Sequence, residues 1–229
     1  MGHFGDCKAI LFDFGGTLDS DGGHWLDRFF EIYKKCGFNI SFSLLKDAFY
    51  YADEICCKDS KVNEFGFYSL LKYHVDLQFS KLGLNDDIKK KEIIEHFFEE
   101  SKSYLKRNRN FLCELHKKFL LGVVSNFYGN VSIICKEMGL SRYLDIILDS
   151  EQIGIKKPDP RIFIKAVEAL NLDIKDVVFV GDSYERDMIP CKRLGMKVVW
   201  IKGPKPRIPE NPLPVDAEIS NLTYLMRLL

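Results

Sequence analysis

Residues 8–12, Lys-Ala-Ile-Leu-Phe, form a short apolar run that stops at Asp13. A run of that length ending on a polar residue predicts a buried strand. From about Gly23 to Arg107 the apolar period becomes helical. Residues 24–35 place Trp25, Leu26, Phe29, Phe30 and Tyr33 at helical spacing, and residues 43–57 repeat the pattern with Leu44, Leu45, Ala48, Phe49 and Ala52. A third helical stretch covers 64–82 and a fourth 87–106. Nothing in this region alternates like a strand, so the pattern predicts a small helical bundle.

Beyond Phe119 the pattern alternates between strand and helix. Strands are expected at 120–124, 145–148, 177–180 and 197–201. Helices are expected at 131–138, stopped by Gly139, at 160–170, and from 183 to Leu194, capped by Gly195. Pro190 falls near the start of that last helix, where a missing N–H costs least. Residues 203–214 hold five of the eight prolines and read as a loop, followed by an edge strand and a terminal helix in 217–229. Apolar strands alternating with helices predict an α/β fold with a doubly wound parallel sheet. The helical insert divides it: residues 1–19 and 108–229 as the sheet domain, residues 20–107 as an α-helical cap domain.

Charge and cysteine usage narrow the function classes. Lys plus Arg and Asp plus Glu are 33 each, so the net charge is zero, which argues against a nucleic-acid or membrane-surface partner. No apolar run is long enough to span a bilayer. The start, Met1-Gly2-His3-Phe4-Gly5-Asp6, lacks the basic and apolar regions of a signal peptide, and Asp6 stands where a myristoylation motif has Ser or Thr. A cytoplasmic location is the expectation. Seven cysteines, an odd number without a Cys-x-x-Cys pair, predict reduced thiols, not disulfides or a zinc site. The basic stretch 102–118 reads as a solvated helix face.

In a doubly wound sheet the active site lies outside the carboxyl ends of the strands. Asp13, Ser125 and Asp182 stand at three of those ends, and Lys156-Lys157-Pro158 precedes a helix. Alone, each is an ordinary cap, turn or surface residue; together they form a chemical constellation. Phe12-Asp13-Phe14-Gly15-Gly16-Thr17-Leu18 resembles the first motif of the haloacid dehalogenase superfamily, usually Asp-x-Asp-Gly-Thr. Val124-Ser125-Asn126, Lys157-Pro158-Asp159-Pro160 and Gly181-Asp182-Ser183-Tyr184-Glu185-Arg186-Asp187 resemble its second, third and fourth motifs, in the family order.

The resemblance implies a Rossmann-like core and a Mg²⁺-dependent phosphohydrolase acting on a small phosphorylated substrate. Asp13 is then the nucleophile that forms an aspartyl-phosphate, and Lys157 a fixed positive charge beside it. Ser125, Asn126 and Thr17 would bind phosphate oxygens. Asp13, the Gly15 carbonyl, Asp182 and Asp187 would hold the metal. Elementary charge balance agrees: three carboxylates and a phosphate at one sheet edge need a cation. One residue departs from the pattern. Gly15 replaces the aspartate that serves the family as general acid/base, a role worth about 10²–10⁴-fold. Asp19, Asp21 or His24 offers a proton from elsewhere, or these residues simply shape the turn and cap the next helix. Two readings follow: a phosphatase slowed by Gly15, or a catalytically impaired relative that binds a phosphorylated ligand or a protein partner. The retained acidic pair disfavours carbon–halogen cleavage, and the missing aspartate disfavours a mutase.

Overall fold

The computed structural model describes residues 4–229; the Met1–His3 part of the N-terminal reading lies outside the described residues. β1 (Ala9–Phe12) is buried along its whole length and leads into a single wide turn, Phe14–Leu18. Four helices follow: α1 (Trp25–Lys35), α2 (Phe42–Lys58), α3 (Phe67–Leu82) and α4 (Asp87–Leu115). Their starts are set by capping side chains. His24 Nδ1 accepts from the Leu26 N–H, Ser41 Oγ from Leu44 and Asp86 from Lys89, each satisfying a donor that the helix leaves orphaned. α3 ends at Gly83, which takes the left-handed conformation.

The chain then alternates. β2 (Leu120–Ser125), α5 (Val131–Glu137), β3 (Ile146–Asp149), α6 (Ser150–Ile153), α7 (Pro160–Ala169), β4 (Val177–Gly181), α8 (Ile189–Arg193), β5 (Lys197–Ile201) and β6 (Ala217–Ile219) follow in order. The six strands form one parallel sheet in the order β3-β2-β1-β4-β5-β6. Phe12 sits opposite both Val123 and Val180 in register. The chain winds to one side of β1 through β2 and β3 and to the other through β4 and β5, so the switch in strand order falls beside β1. Apolar side chains cover both faces, with Ile10, Phe12, Val123 and Val178 buried on one and Leu11, Phe179, Ile162 and Phe163 on the other. Among the described residues no helix is long and apolar enough to cross a membrane.

Three expectations change. The fourth helix does not end near Lys106 but continues to Leu115, across the point where the helical insert was expected to stop. Residues 102–118 are therefore not merely a solvated face. Leu105, Asn108, Phe111, Leu112 and Leu115 are buried, and the Asn108 side chain donates to the Leu18 carbonyl at 2.7 Å. The basic residues between them mask that stripe in the sequence. The C-terminal helix is a tighter 3-10 turn, Leu222–Arg227. All seven cysteines are free, as expected.

Two backbone segments meet at Gly22 and Gly203. Gly22 has φ +80°, and a Cβ there would lie 2.2 Å from the Gly203 nitrogen; a Cβ on Gly203 would lie 1.9 Å from the Gly22 oxygen. Neither distance is sterically possible, so the crossing requires glycine on both sides. Gly22→Ala is expected to cost upwards of about 1 kcal/mol and to lower the melting midpoint by at least about 2–4 °C. An unchanged midpoint in scanning calorimetry would refute the crossing.

Candidate active site

Asp13 is the first residue past β1, and its N–H still donates to the Val180 carbonyl of β4 at 2.9 Å. The residue is 8% exposed. One oxygen, Oδ1, is surrounded: the Phe14 N–H donates to it at 2.7 Å, the Ser125 hydroxyl at 2.7 Å, and the Lys157 ammonium lies 3.0 Å away. No described residue donates to Oδ2. The carboxylate is thus anchored on one side and open on the other.

Lys157 is buried between Asp13 and Asp187, with its Nζ 2.7 Å from the latter. Burial works against the ammonium, but the two flanking carboxylates outweigh it and hold the lysine above its ordinary range. Asn126 fixes the lysine's backbone: its amide nitrogen donates to the Lys157 carbonyl at 2.9 Å and its oxygen accepts from the Lys157 N–H at 2.7 Å.

The acidic group completes the edge. Asp13, Asp182 and Asp187 each offer a carboxylate oxygen, all within 4.8 Å of one another. Burial first, then the neighbouring Asp13 and Asp187, raise Asp182 well above the ordinary carboxylate range. Burial pushes Asp187 up to about 6, against the pull of Lys157. Lys157 and the neighbouring Arg186 guanidinium are two positive charges against three clustered carboxylates, and the ionised cluster is held under strain that a divalent cation would relieve. The residues present therefore fit such an ion. Gly16, at φ +84°, makes the approach possible: a Cβ there would lie 2.4 Å from the Asp182 carboxylate.

Above the sheet edge lies a cavity of about 90 Å³. Asp13, Ser125, Asn126 and Lys157 line its floor; His24, Trp25, Phe49, Tyr50 and Asp53 line it from α1 and α2; Tyr128 and Arg186 stand at its sides. The structure places Asp13, Ser125, Asn126, Lys157, Asp182 and Asp187 at one sheet edge; strand ends and the Lys157 loop pointed to Asp13, Ser125, Asp182 and Lys157, and the resemblance to Asn126 and Asp187. Gly15 lines the cavity. Thr17 does not; it is fully buried and its hydroxyl has no partner among the described residues. Asn126, expected on a phosphate oxygen, has its side chain committed to the Lys157 backbone.

The three suggested proton donors separate. Asp19 is fully buried and accepts from the Gly16 N–H at 2.7 Å, the Trp25 indole at 2.6 Å and Arg28 at 3.1 Å. Burial raises its carboxyl despite Arg28. Asp21 is gripped by both terminal nitrogens of Arg107 at 2.7 Å and by Asn221 and the Leu222 N–H at 3.0 Å. Both hold structure and neither lines the cavity. His24 does line it, but its Nδ1 caps α1, and burial, helped by Arg207 and Arg186, lowers its pKa to about 3. The sequence reading missed Tyr50, Asp53, Tyr128 and Arg186. A signal existed for Asp53. It follows Phe49 by four residues and precedes Cys56 by three, which puts a carboxylate beside the apolar stripe of α2.

A family model of haloacid dehalogenase-like hydrolases matches residues 10–201, which contain every residue that lines the cavity and the three clustered carboxylates. The chain belongs to that family. Among curated relatives, the haloacid dehalogenase-like hydrolase domain-containing protein 3 of Bos taurus is 34% identical over 108 residues, 46% of this chain and 43% of its own length. Phosphoserine phosphatase of Thermus thermophilus is 30% identical over 128 residues, 52% of this chain and 50% of its own. The chain thus matches half or less of these relatives' lengths. A solved dehalogenase with an intermediate complex superposes with TM-score 0.65 over 98% of this chain and 97% of that one, at 20% identity, which speaks to the fold. The protein is a haloacid dehalogenase-like hydrolase with phosphatase relatives.

In this hydrolase Asp19 stitches the first turn to α1, and through Arg28 and Ser101 to α4, the Arg28–Ser101 bond being 2.6 Å. Asp19→Ala leaves the buried Arg28 with Ser101 and, as its one remaining carboxylate among the described residues, Glu100 at 3.8 Å. Removing one partner of a buried pair costs about 3–5 kcal/mol. A denaturant titration is expected to show that loss. A change below about 1 kcal/mol would mean that Asp19 is not structural.

Proposed function

We propose that this hydrolase is a Mg²⁺-dependent phosphatase of a small phosphorylated metabolite, with Asp13 as nucleophile. The observation that carries the reading is the asymmetry of Asp13: Oδ1 is anchored by Phe14, Ser125 and Lys157, while no described residue donates to Oδ2, and the carboxylate offers an oxygen within 4.8 Å of those of Asp182 and Asp187. A carboxylate is already deprotonated at neutral pH, so attack needs no general base.

Asp13 Oδ2 bonds to phosphorus as the bond from phosphorus to the leaving oxygen breaks, giving an aspartyl-phosphate and an alcohol that takes its proton from water. Water then attacks that phosphorus, releases inorganic phosphate and restores the carboxylate. Lys157 supplies fixed positive charge beside the phosphoryl oxygens, preorganised by its two carboxylates and by Asn126. A magnesium ion held by Asp13, Asp182, Asp187 and the Gly15 carbonyl would neutralise the cluster and orient the phosphoryl group. Residues 20–107 act as a cap over the core of residues 1–19 and 108–229; Trp25, Phe49, Tyr50 and Asp53 are its contribution to the cavity walls.

Gly15 carries no proton-transfer group, and His24, its pKa lowered to about 3 by burial, is unprotonated at neutral pH and has no imidazolium proton to give. Leaving groups that need little protonation, such as acyl and aryl phosphates, should therefore turn over fastest. Activity is expected to fall steeply as leaving-group pKa rises. Gly15 has φ −72° and ψ 125°, open to any residue, and a Cβ there makes only ordinary contact with Trp25 at 3.5 Å. Gly15→Asp is expected to raise turnover of alkyl phosphates, by up to the ~10²–10⁴-fold typical of an added acid/base. A flat leaving-group dependence with no gain in a folded Gly15→Asp variant would overturn the assignment of the missing proton.

Two further variants test the rest. Asp13→Asn should abolish hydrolysis of acetyl phosphate, and Asp182→Asn should weaken Mg²⁺ binding at least about tenfold by calorimetry, since an ion of this kind relies on one or two carboxylates. Unchanged Mg²⁺ affinity would remove Asp182 from the metal site. Absence of turnover on every phosphate ester, with phosphate binding retained, would replace the enzyme by an impaired binder.

A further inference from the structure

Asp53 faces the cavity from α2 and takes no part in the chemistry proposed for the floor. Its Oδ1 accepts from two groups, the Tyr128 hydroxyl and His74 Nε2, the latter at 3.2 Å. The histidine is fixed in turn. The Gln78 amide nitrogen lies 2.7 Å from His74 Nδ1, which makes Nδ1 the acceptor and leaves the proton on Nε2, pointing at Asp53. His74 and Gln78 are both fully buried, and the His74 ring stacks on Phe29 at 5.7 Å with an interplanar angle of 4°.

This is an oriented chain, Gln78 to His74 to Asp53, that saturates one oxygen of the carboxylate. Among the described residues none donates to the other oxygen, Oδ2, and no Lys or Arg pairs with Asp53. The Asp53 side chain remains 30% exposed. A rigidly held carboxylate on the cavity wall, with no Lys or Arg paired to it and no described protein donor on its second oxygen, is placed to accept from a bound ligand.

We infer that Asp53 reads the leaving group, and that the substrate is a small phosphate monoester whose head group carries a hydrogen-bond donor, an ammonium or a hydroxyl. The inference rests on the phosphatase reading above, in which Asp13 and Lys157 take the phosphoryl end at the floor. Asp53 then supplies the missing acceptor at the other end, with His74 and Gln78 as its positioning residues. A head group bearing a carboxylate or second phosphate meets like charge at Asp53 and is disfavoured. A site built to hydrogen-bond a group discriminates against the analogue that lacks it, because its own polar atom is left unpaired.

Non-hydrolysable phosphonates of matched length isolate the head group. Their inhibition constants are measured against acetyl phosphate hydrolysis by the full chain with Mg²⁺. 2-Aminoethyl- and 2-hydroxyethylphosphonate are expected to inhibit at least about tenfold more tightly than propylphosphonate, the scale of one hydrogen bond to a charged group. 2-Carboxyethylphosphonate should be the weakest of the four. The relative order of the amino and hydroxyl compounds tells which donor the site takes. In Asp53→Asn the ratio of propyl to aminoethyl constants should fall to within about twofold. Four near-equal constants in the wild type, or a ratio unmoved in Asp53→Asn, would overturn the inference. Tightest binding by the carboxyethyl compound would also overturn it and assign the head group to Arg186. The wild-type comparison decides the matter even if the variant fails to fold. If acetyl phosphate is not hydrolysed, the phosphatase reading falls, and calorimetric titration of the same phosphonates still tests Asp53.

Discussion

Three carboxylates gather around the Lys157 ammonium at the carboxyl edge of β1 and β4, with the Arg186 guanidinium beside them, and much of the surrounding structure exists to hold them there. Asp13, Asp182 and Asp187 approach within 4.8 Å, a distance at which like charges repel by several kcal/mol in a partly buried setting at an effective dielectric near ~20. The parallel sheet supplies the frame, because Phe12 lies in register with Val180 and the next residues of both strands emerge together. Gly16 removes the side chain that would block Asp182. Asn126 locks the backbone of Lys157, and burial keeps water from screening the ion pairs. The arrangement is electrostatically unfinished, which is the condition for holding a cation and a phosphoryl group.

The sheet was legible because each strand is a short apolar run closed by a polar residue, and strand ends alone placed Asp13, Ser125 and Asp182 together. Topology also put the Lys156-Lys157-Pro158 loop near that edge, but the role of Lys157 beside the nucleophile needed the family resemblance, since a lysine before a proline has no distinctive pattern. Helix positions in residues 24–82 followed from apolar spacing. The end of α4 did not, because Lys and Arg residues between Leu105, Phe111 and Leu115 made a half-buried helix look solvated; long basic side chains cover apolar surface while their charges stay in water.

What the sequence hid in the site is the part built from long-range pairing. Asp19, Asp21 and His24 lie within six residues and are chemically equivalent as proton donors on paper. Only their partners distinguish them: Arg28 and Trp25 for Asp19, Arg107 and Asn221 for Asp21, a helix N-terminus for His24. Two of these partners are about 86 and 200 residues away in sequence, beyond the reach of any local pattern. The same holds for Asp53, whose role depends on Tyr128 across the cavity.

α4 has a mechanical consequence. Its 29 residues make a rod of roughly 44 Å at 1.5 Å per residue. It touches the turn after β1 at three successive levels: Ser101 through Arg28, Arg107 on Asp21, and Asn108 on the Leu18 carbonyl. The helix runs unbroken through residue 107, so no loop lies at that junction, and on that side the helical insert is joined to the sheet domain by a stiff element and not by a flexible joint.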